Sequence, residues 1–94
     1  MAIAAPAVLK KVDPAYPAEL IRDKVEGTVI LYAIIHSDGS IGEIKVLSSL
    51  EEKLDDSAAK ALARWKFAPG MKNGQAIDLE AVVQIPFKVR KMAF

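Results

Sequence analysis

The chain has 94 residues, 13 basic and 12 acidic side chains for a net charge of +1, and 52% hydrophobic residues. That is one domain with enough apolar material to bury roughly 60–70% of its unfolded surface, too evenly charged to carry the footprint of a nucleic-acid or anionic-membrane binder. The absence of cysteine excludes a disulfide scaffold and a thiolate zinc site.

No apolar run approaches the roughly 20 residues that cross a bilayer. The first nine residues lack the charged start and long apolar centre of a signal peptide. If the protein works outside the cytoplasm, the segment that takes it there is expected to lie outside this chain. Residues 1–12 are Ala-rich and broken by Pro6. They read as a linker remnant or a short edge strand over 7–12, ahead of a domain at 13–94.

Asp13-Pro14-Ala15-Tyr16-Pro17 is a stiff opening, because each proline fixes its own φ and pushes the preceding residue toward extended geometry. Pro17 suits the first position of a helix. That helix is predicted to run to about Glu26, with Ala18, Leu20, Ile21 and Val25 on its apolar stripe and Gly27 as its stop. Residues 27–36, G-T-V-I-L-Y-A-I-I-H, are apolar on both alternating faces and rich in β-branched side chains. They predict a central strand.

Ser37-Asp38-Gly39-Ser40 signals a hairpin, so the strand over 41–49 should run antiparallel to the first. Ile44 and Val46 are predicted on one face, Glu43, Lys45 and Leu47 on the other. Residues 50–53 read as a loop. A second helix follows, capped by Asp55 or Asp56 and extending to Lys66, with Leu54, Ala58, Ala61, Leu62 and Trp65 as its buried stripe. Residues 67–70 and Asn73-Gly74 read as turns.

The last strand, 77–89, alternates. Leu79, Ala81, Val83, Ile85, Phe87 and Val89 are expected inside; Asp78, Glu80, Gln84, Lys88 and Arg90 outside. Pro86 cannot donate to a ladder, which places that end at a sheet edge. Residues 91–94 form a short tail. The predicted fold is α+β: a three-stranded antiparallel sheet with two helices packed on one face, in the order (β)αββαβ. Its uncovered face would expose Ile30, Tyr32, Ile34, Leu47 and Val82.

Catalytic constellations are missing. The single histidine, His36, ends a strand beside a polar turn and reads as solvated. Ser48 and Ser49 have no evident base. Asp55 and Asp56 diverge as helical neighbours and read as capping groups. No ligand set shares a face at metal spacing, and the glycines form no phosphate loop. The expectation is a protein that is not an enzyme and needs no cofactor or metal. Trp65 reads as a core residue, and Tyr16 as packing that fixes the first helix.

Taken in order, the motifs resemble the C-terminal domain of the TonB energy transducers. The matching pieces are Asp13-Pro14-Ala15-Tyr16-Pro17, Val25-Glu26-Gly27-Thr28-Val29, Asp38-Gly39 with its following strand, and the helix over 54–63. Arg64-Trp65-Lys66-Phe67-Ala68-Pro69-Gly70, Asn73-Gly74 and Ile85-Pro86-Phe87 complete the set. The likeness spans about residues 12–90. It implies a periplasmic adaptor, anchored to the inner membrane by a helix absent from this chain and energised there by a proton-channel complex. Such a domain captures a short extended segment, the TonB box, of an outer-membrane transporter for nutrient import. It implies no small-molecule substrate and no nucleic-acid partner.

An open strand edge accepts an extended peptide by β-augmentation. The expected capture edge is therefore Leu79, Glu80, Ala81, Val82, Val83, Gln84 and Ile85. The family pattern adds Asp13, Pro14 and Tyr16 near the captured segment. Asp13 departs from the glutamine or basic residue of well-studied members. The alternative reading is a homodimerising interaction module with no transporter role.

Overall fold

The computed structural model describes residues 2–89, so the expected outward Arg90 and the tail at 91–94 lie outside the described residues. Strand β3 (Gly27–Ile35) is the middle of an antiparallel three-stranded sheet, between β4 (Ile41–Ser48) and β8 (Leu79–Phe87). On one face of β3, Val29, Leu31, Ala33 and Ile35 are completely buried. Helix α2 (Glu52–Leu62) lays Leu54, Ala58 and Leu62 over them, and Phe67, Ile85 and Phe87 complete the core. Burying a leucine or isoleucine contributes about 1.5–3 kcal/mol, so these few residues carry most of the fold. Leu20 of α1 (Ala18–Arg22) reaches the same core cluster, and Lys53 of α2 is ion-paired with Glu19 of α1. Both helices thus cover one face.

The architecture is richer than a single sheet. Strands β1 (Ile3–Ala4), β6 (Gly70–Lys72) and β7 (Gln75–Ile77) form a second antiparallel sheet in the order β1-β6-β7. Strands β2 (Ala7–Lys10) and β5 (Lys66–Ala68) form a two-stranded ribbon. Residues 67–70, read from sequence as a turn, are therefore mostly strand, and Asn73-Gly74 is the reversal between β6 and β7. The strand expected over 77–89 is divided at Asp78 into β7 and β8. The Asp78 carboxylate accepts the Ser37 N–H at 2.7 Å and lies 3.5 Å from His36 Nδ1, which ties it to the end of β3.

Helix α1 stops at Arg22, short of Glu26, and Gly27 is not its terminator. Lys24 takes the left-handed conformation (φ 54°), while the N–H groups of Lys24 and Val25 donate to the carbonyls of Ile21 and Leu20. This is a Schellman closure with lysine where glycine is usual. Gly27 instead opens β3 at φ 154°, where a Cβ would stand 2.6 Å from Leu50 Cδ1.

Helix α2 begins earlier than Asp55. Glu51 caps it, its carboxylate accepting the Lys53 and Leu54 N–H groups at 3.0 and 3.3 Å. Residues 52 and 53 are helical, not loop, and the helix ends at Leu62. Asp55 turns back to accept the Ser49 hydroxyl and the Leu50 N–H.

Strand β4 also departs from simple alternation. Its register against β3 shifts between Ile30 and Leu31 and again between Tyr32 and Ile34, and Glu43 has φ 51°. A bulge flips the faces, so Ile41 and Ile44, three apart, both pack against the core. On the opposite face Val82 and Leu47 are 63% and 57% exposed, whereas Ile30, Tyr32 and Ile34 are half-buried. Lys45 lies over the Tyr32 ring, and the Tyr32 hydroxyl donates to Glu80.

Candidate functional site

Strand β8 pairs with β3 and, among the described residues, with no other strand. Proline determines which of its groups are free. Pro86 stands opposite Thr28, and an unbroken register runs from there to Ile35 opposite Leu79. Antiparallel pairs alternate between those that exchange both N–H···O bonds and those whose N–H and C=O point away. Pro86 has no N–H, so Thr28–Pro86 is of the second kind. By alternation Ala81, Val83 and Ile85 bond to β3, while Glu80, Val82 and Gln84 turn their N–H and C=O toward the open side.

A cleft runs along that side. Its wider arm, about 440 Å³, lies between residues 80–84 and a wall of Ala5, Pro6, Val8 and Lys11, with Trp65 and Phe67 also lining it. A narrower arm, about 300 Å³, continues between Gln84, Ile85 and Pro86 on one side and Lys11, Val12, Asp13 and Pro14 on the other. Lys11, Trp65 and Gln84 line both arms and mark the waist.

The wall is held by specific contacts. Val8 stands opposite Phe67 in the β2–β5 ladder. The indole Nε1–H of Trp65 donates to the Val12 carbonyl at 3.0 Å, and its ring stacks on Phe67 with centroids 6.0 Å apart. Lys11 Nζ sits 5.6 Å from the centre of the Trp65 ring. Asn73 anchors the far end by exchanging hydrogen bonds with the backbone of Ala2.

The structure brings Asp13 and Pro14 together with Ile85 in the narrow arm, and Glu80, Ala81, Val82, Val83 and Gln84 in the wide arm. Two expected residues fall elsewhere. Tyr16 packs edge-on against Phe87 at 5.2 Å and donates its hydroxyl to the Val25 carbonyl, so it braces α1. Leu79 lies against Gly70, where a Cβ would meet its Cδ1 at 2.2 Å.

Sequence reasoning missed Val8, Lys11, Trp65 and Phe67 as cleft residues. The W-x-F spacing held a signal, because alternate residues of an extended segment share a face. Trp65 lies beyond the helix end, in extended chain leading into β5. Among the described residues no group of three or more His, Asp or Glu converges as a metal site, and no helix is long and apolar enough to cross a membrane. What the edge and cleft offer is a row of free backbone groups beside an aromatic surface.

Known proteins share the sequence pattern and the fold of this chain. The family described as Gram-negative bacterial TonB protein C-terminal matches residues 12–89. The chain is 43% identical over 77 residues to protein tonB2 of Pseudomonas aeruginosa, a match covering 81% of this chain and 28% of that protein. It is 32% identical over 85 residues to protein TonB of Escherichia coli K12, covering 89% and 34%. The chain therefore spans only about a third or less of the curated relatives it matches. The solution NMR structure of the Pseudomonas aeruginosa TonB C-terminal domain superposes with a TM-score of 0.77 at 30% identity, covering 96% of this chain and 92% of that one. With the motifs, the sheet and the relatives all in agreement, the chain belongs to the TonB C-terminal domain family.

Proposed function

We propose that this chain is the periplasmic, partner-capturing domain of a TonB-type energy transducer. It takes an extended TonB-box segment of an outer-membrane transporter onto the open edge of β8. Upstream, a membrane helix outside this chain would link it to the inner-membrane proton-channel complex. The domain carries load and binds, and does no chemistry of its own.

The observation that carries this reading is the unpaired side of β8, with Glu80, Val82 and Gln84 presenting backbone groups to the cleft. Three residues with two groups each offer six hydrogen bonds. At about 0.5–1.5 kcal/mol each they supply roughly 3–9 kcal/mol, against an association cost of about 4 kcal/mol or more. The edge alone holds a partner weakly, so side chains set against Trp65 and Phe67 must add affinity. A pull along the strands loads all six bonds together, which suits a joint that is weak at rest and firm under tension.

The test is a titration of the 15N-labelled domain with a synthetic TonB-box peptide. The amide signals of Glu80, Val82 and Gln84 shift, together with those of Asp13 and the cleft wall. Shifts confined to α1 and α2 would overturn the reading. Self-association through the same edge is the competing use, because the exposed Val82 lies on it and Leu47, across β3 on β4, extends the apolar sheet face. Sedimentation of this chain and of one extended upstream would show a dimer that survives the extension if that use prevails.

A further inference from the structure

Three lysines gather on the cleft wall and its back. Lys10 and Lys66 are directly opposed in the β2–β5 ladder, a like-charge pair that costs stability wherever it occurs in a sheet. Lys11, next in sequence, stands over Trp65 at the waist of the cleft. Among the described residues none of the three has a carboxylate within ion-pair distance; Lys53 and Lys60 are the lysines that do. The acidic groups that line the cleft stand away from the waist. Asp13 lines only the narrow arm; Glu80 borders the wide arm, but its carboxylate accepts from the Tyr32 hydroxyl on the sheet face away from Trp65. On the Trp65 side the charges therefore run from acid at Asp13 to base at Lys11.

We propose that Lys11 selects an acidic side chain in the middle of the captured strand. The inference rests on the capture reading above and adds its chemistry. A strand laid along Glu80, Val82 and Gln84 sends alternate side chains to opposite faces. Those on the Trp65 side pass Lys11 at the waist, and a glutamate or aspartate there meets an ammonium already positioned by the indole ring. Contact with the ring face favours the cation where it stands. Asp13 disfavours an acid at the narrow-arm end, so the register of the guest is read along with its composition. An acidic residue at the centre and a neutral or basic residue at the narrow-arm end are the complementary pattern.

The test uses the 94-residue chain and three nine-residue peptides that alternate apolar and polar residues and differ only at the central position, Glu, Gln or Lys. Binding is followed by Trp65 fluorescence, the chain having one tryptophan, and by the amide signals of Glu80, Val82 and Gln84. The Glu peptide binds about threefold more tightly than the Gln peptide, as expected for a largely exposed ion pair, and about tenfold more tightly than the Lys peptide. Lys11→Met, which keeps the apolar stem over the indole, removes the preference; Lys11→Arg keeps it; Lys11→Glu reverses it. Equal binding of all three peptides, or a preference that survives Lys11→Met, overturns the role of Lys11 while the edge signals still report capture. If no peptide moves the edge signals, the capture reading itself falls, and this inference with it.

Discussion

Replacing Val82 with proline separates binding from folding. The Val82 N–H points to the open side of β8, the residue is 63% exposed, and Ala81 before it is already extended. Proline there removes no ladder bond and asks little of its neighbour, so stability falls by about 1 kcal/mol or less. The ring takes the place of the central free donor and displaces the partner's opposing carbonyl. The two hydrogen bonds of that residue pair are lost, about 1–3 kcal/mol together, or roughly 5- to 150-fold in affinity. Val83→Pro is the control. It deletes a bond to the fully buried Leu31 and leaves that carbonyl unpaired, a cost of about 1–3 kcal/mol in stability. Urea unfolding and calorimetric peptide titration of both variants give the answer. If Val82→Pro unfolds as readily as Val83→Pro, the assignment of outward groups is wrong. If it folds and binds undiminished, β8 is not the docking edge.

Other outcomes follow from the same coordinates. Lys24→Gly relieves a left-handed non-glycine residue at the end of α1 and raises stability by about 0.5–1 kcal/mol in urea. Gly39→Ala acts the other way: φ is 85° and the new Cβ would stand 2.4 Å from the Phe67 carbonyl oxygen, so a loss of about 2 kcal/mol or more is expected by thermal unfolding. Trp65→Phe deletes the bond to the Val12 carbonyl, and the amides of β2 exchange about fivefold faster, the equivalent of one net hydrogen bond. Partial burial pulls the Asp55 carboxyl up, but hydrogen bonds from the Ser49 hydroxyl and from the Leu50 and Glu51 N–H groups outweigh it and hold it below the ordinary carboxylate range. A folded-state pKa below the unfolded value stabilises above about pH 4 and loses that contribution as pH falls through the folded value. Asp55→Asn should therefore flatten the acid limb of a stability–pH profile measured by urea unfolding.

What could be read without coordinates was whatever a periodic run of residues encodes locally. Strand β3 announced itself because seven of its positions needed burial or cover on two faces, and β4 because Asp38-Gly39 turns the chain straight back. The stripe of α2 and the edge position of Pro86 are likewise legible, since one follows from helical spacing and the other from a missing donor. Ends and irregularities were less visible. Lys24 and Glu43 adopt left-handed backbone that no propensity scale assigns to them, and Glu51 takes the cap because Asp55 is occupied by Ser49 and Leu50. The cleft belongs wholly to tertiary structure. Its wall is a ribbon of exposed residues, Ala7 to Lys10, paired with a segment more than fifty positions away. Such a strand buries too little to leave a hydrophobic rhythm in the sequence. Only the folded chain, with Trp65 reaching across to the Val12 carbonyl, decides that the open edge of β8 faces a wall rather than bulk water.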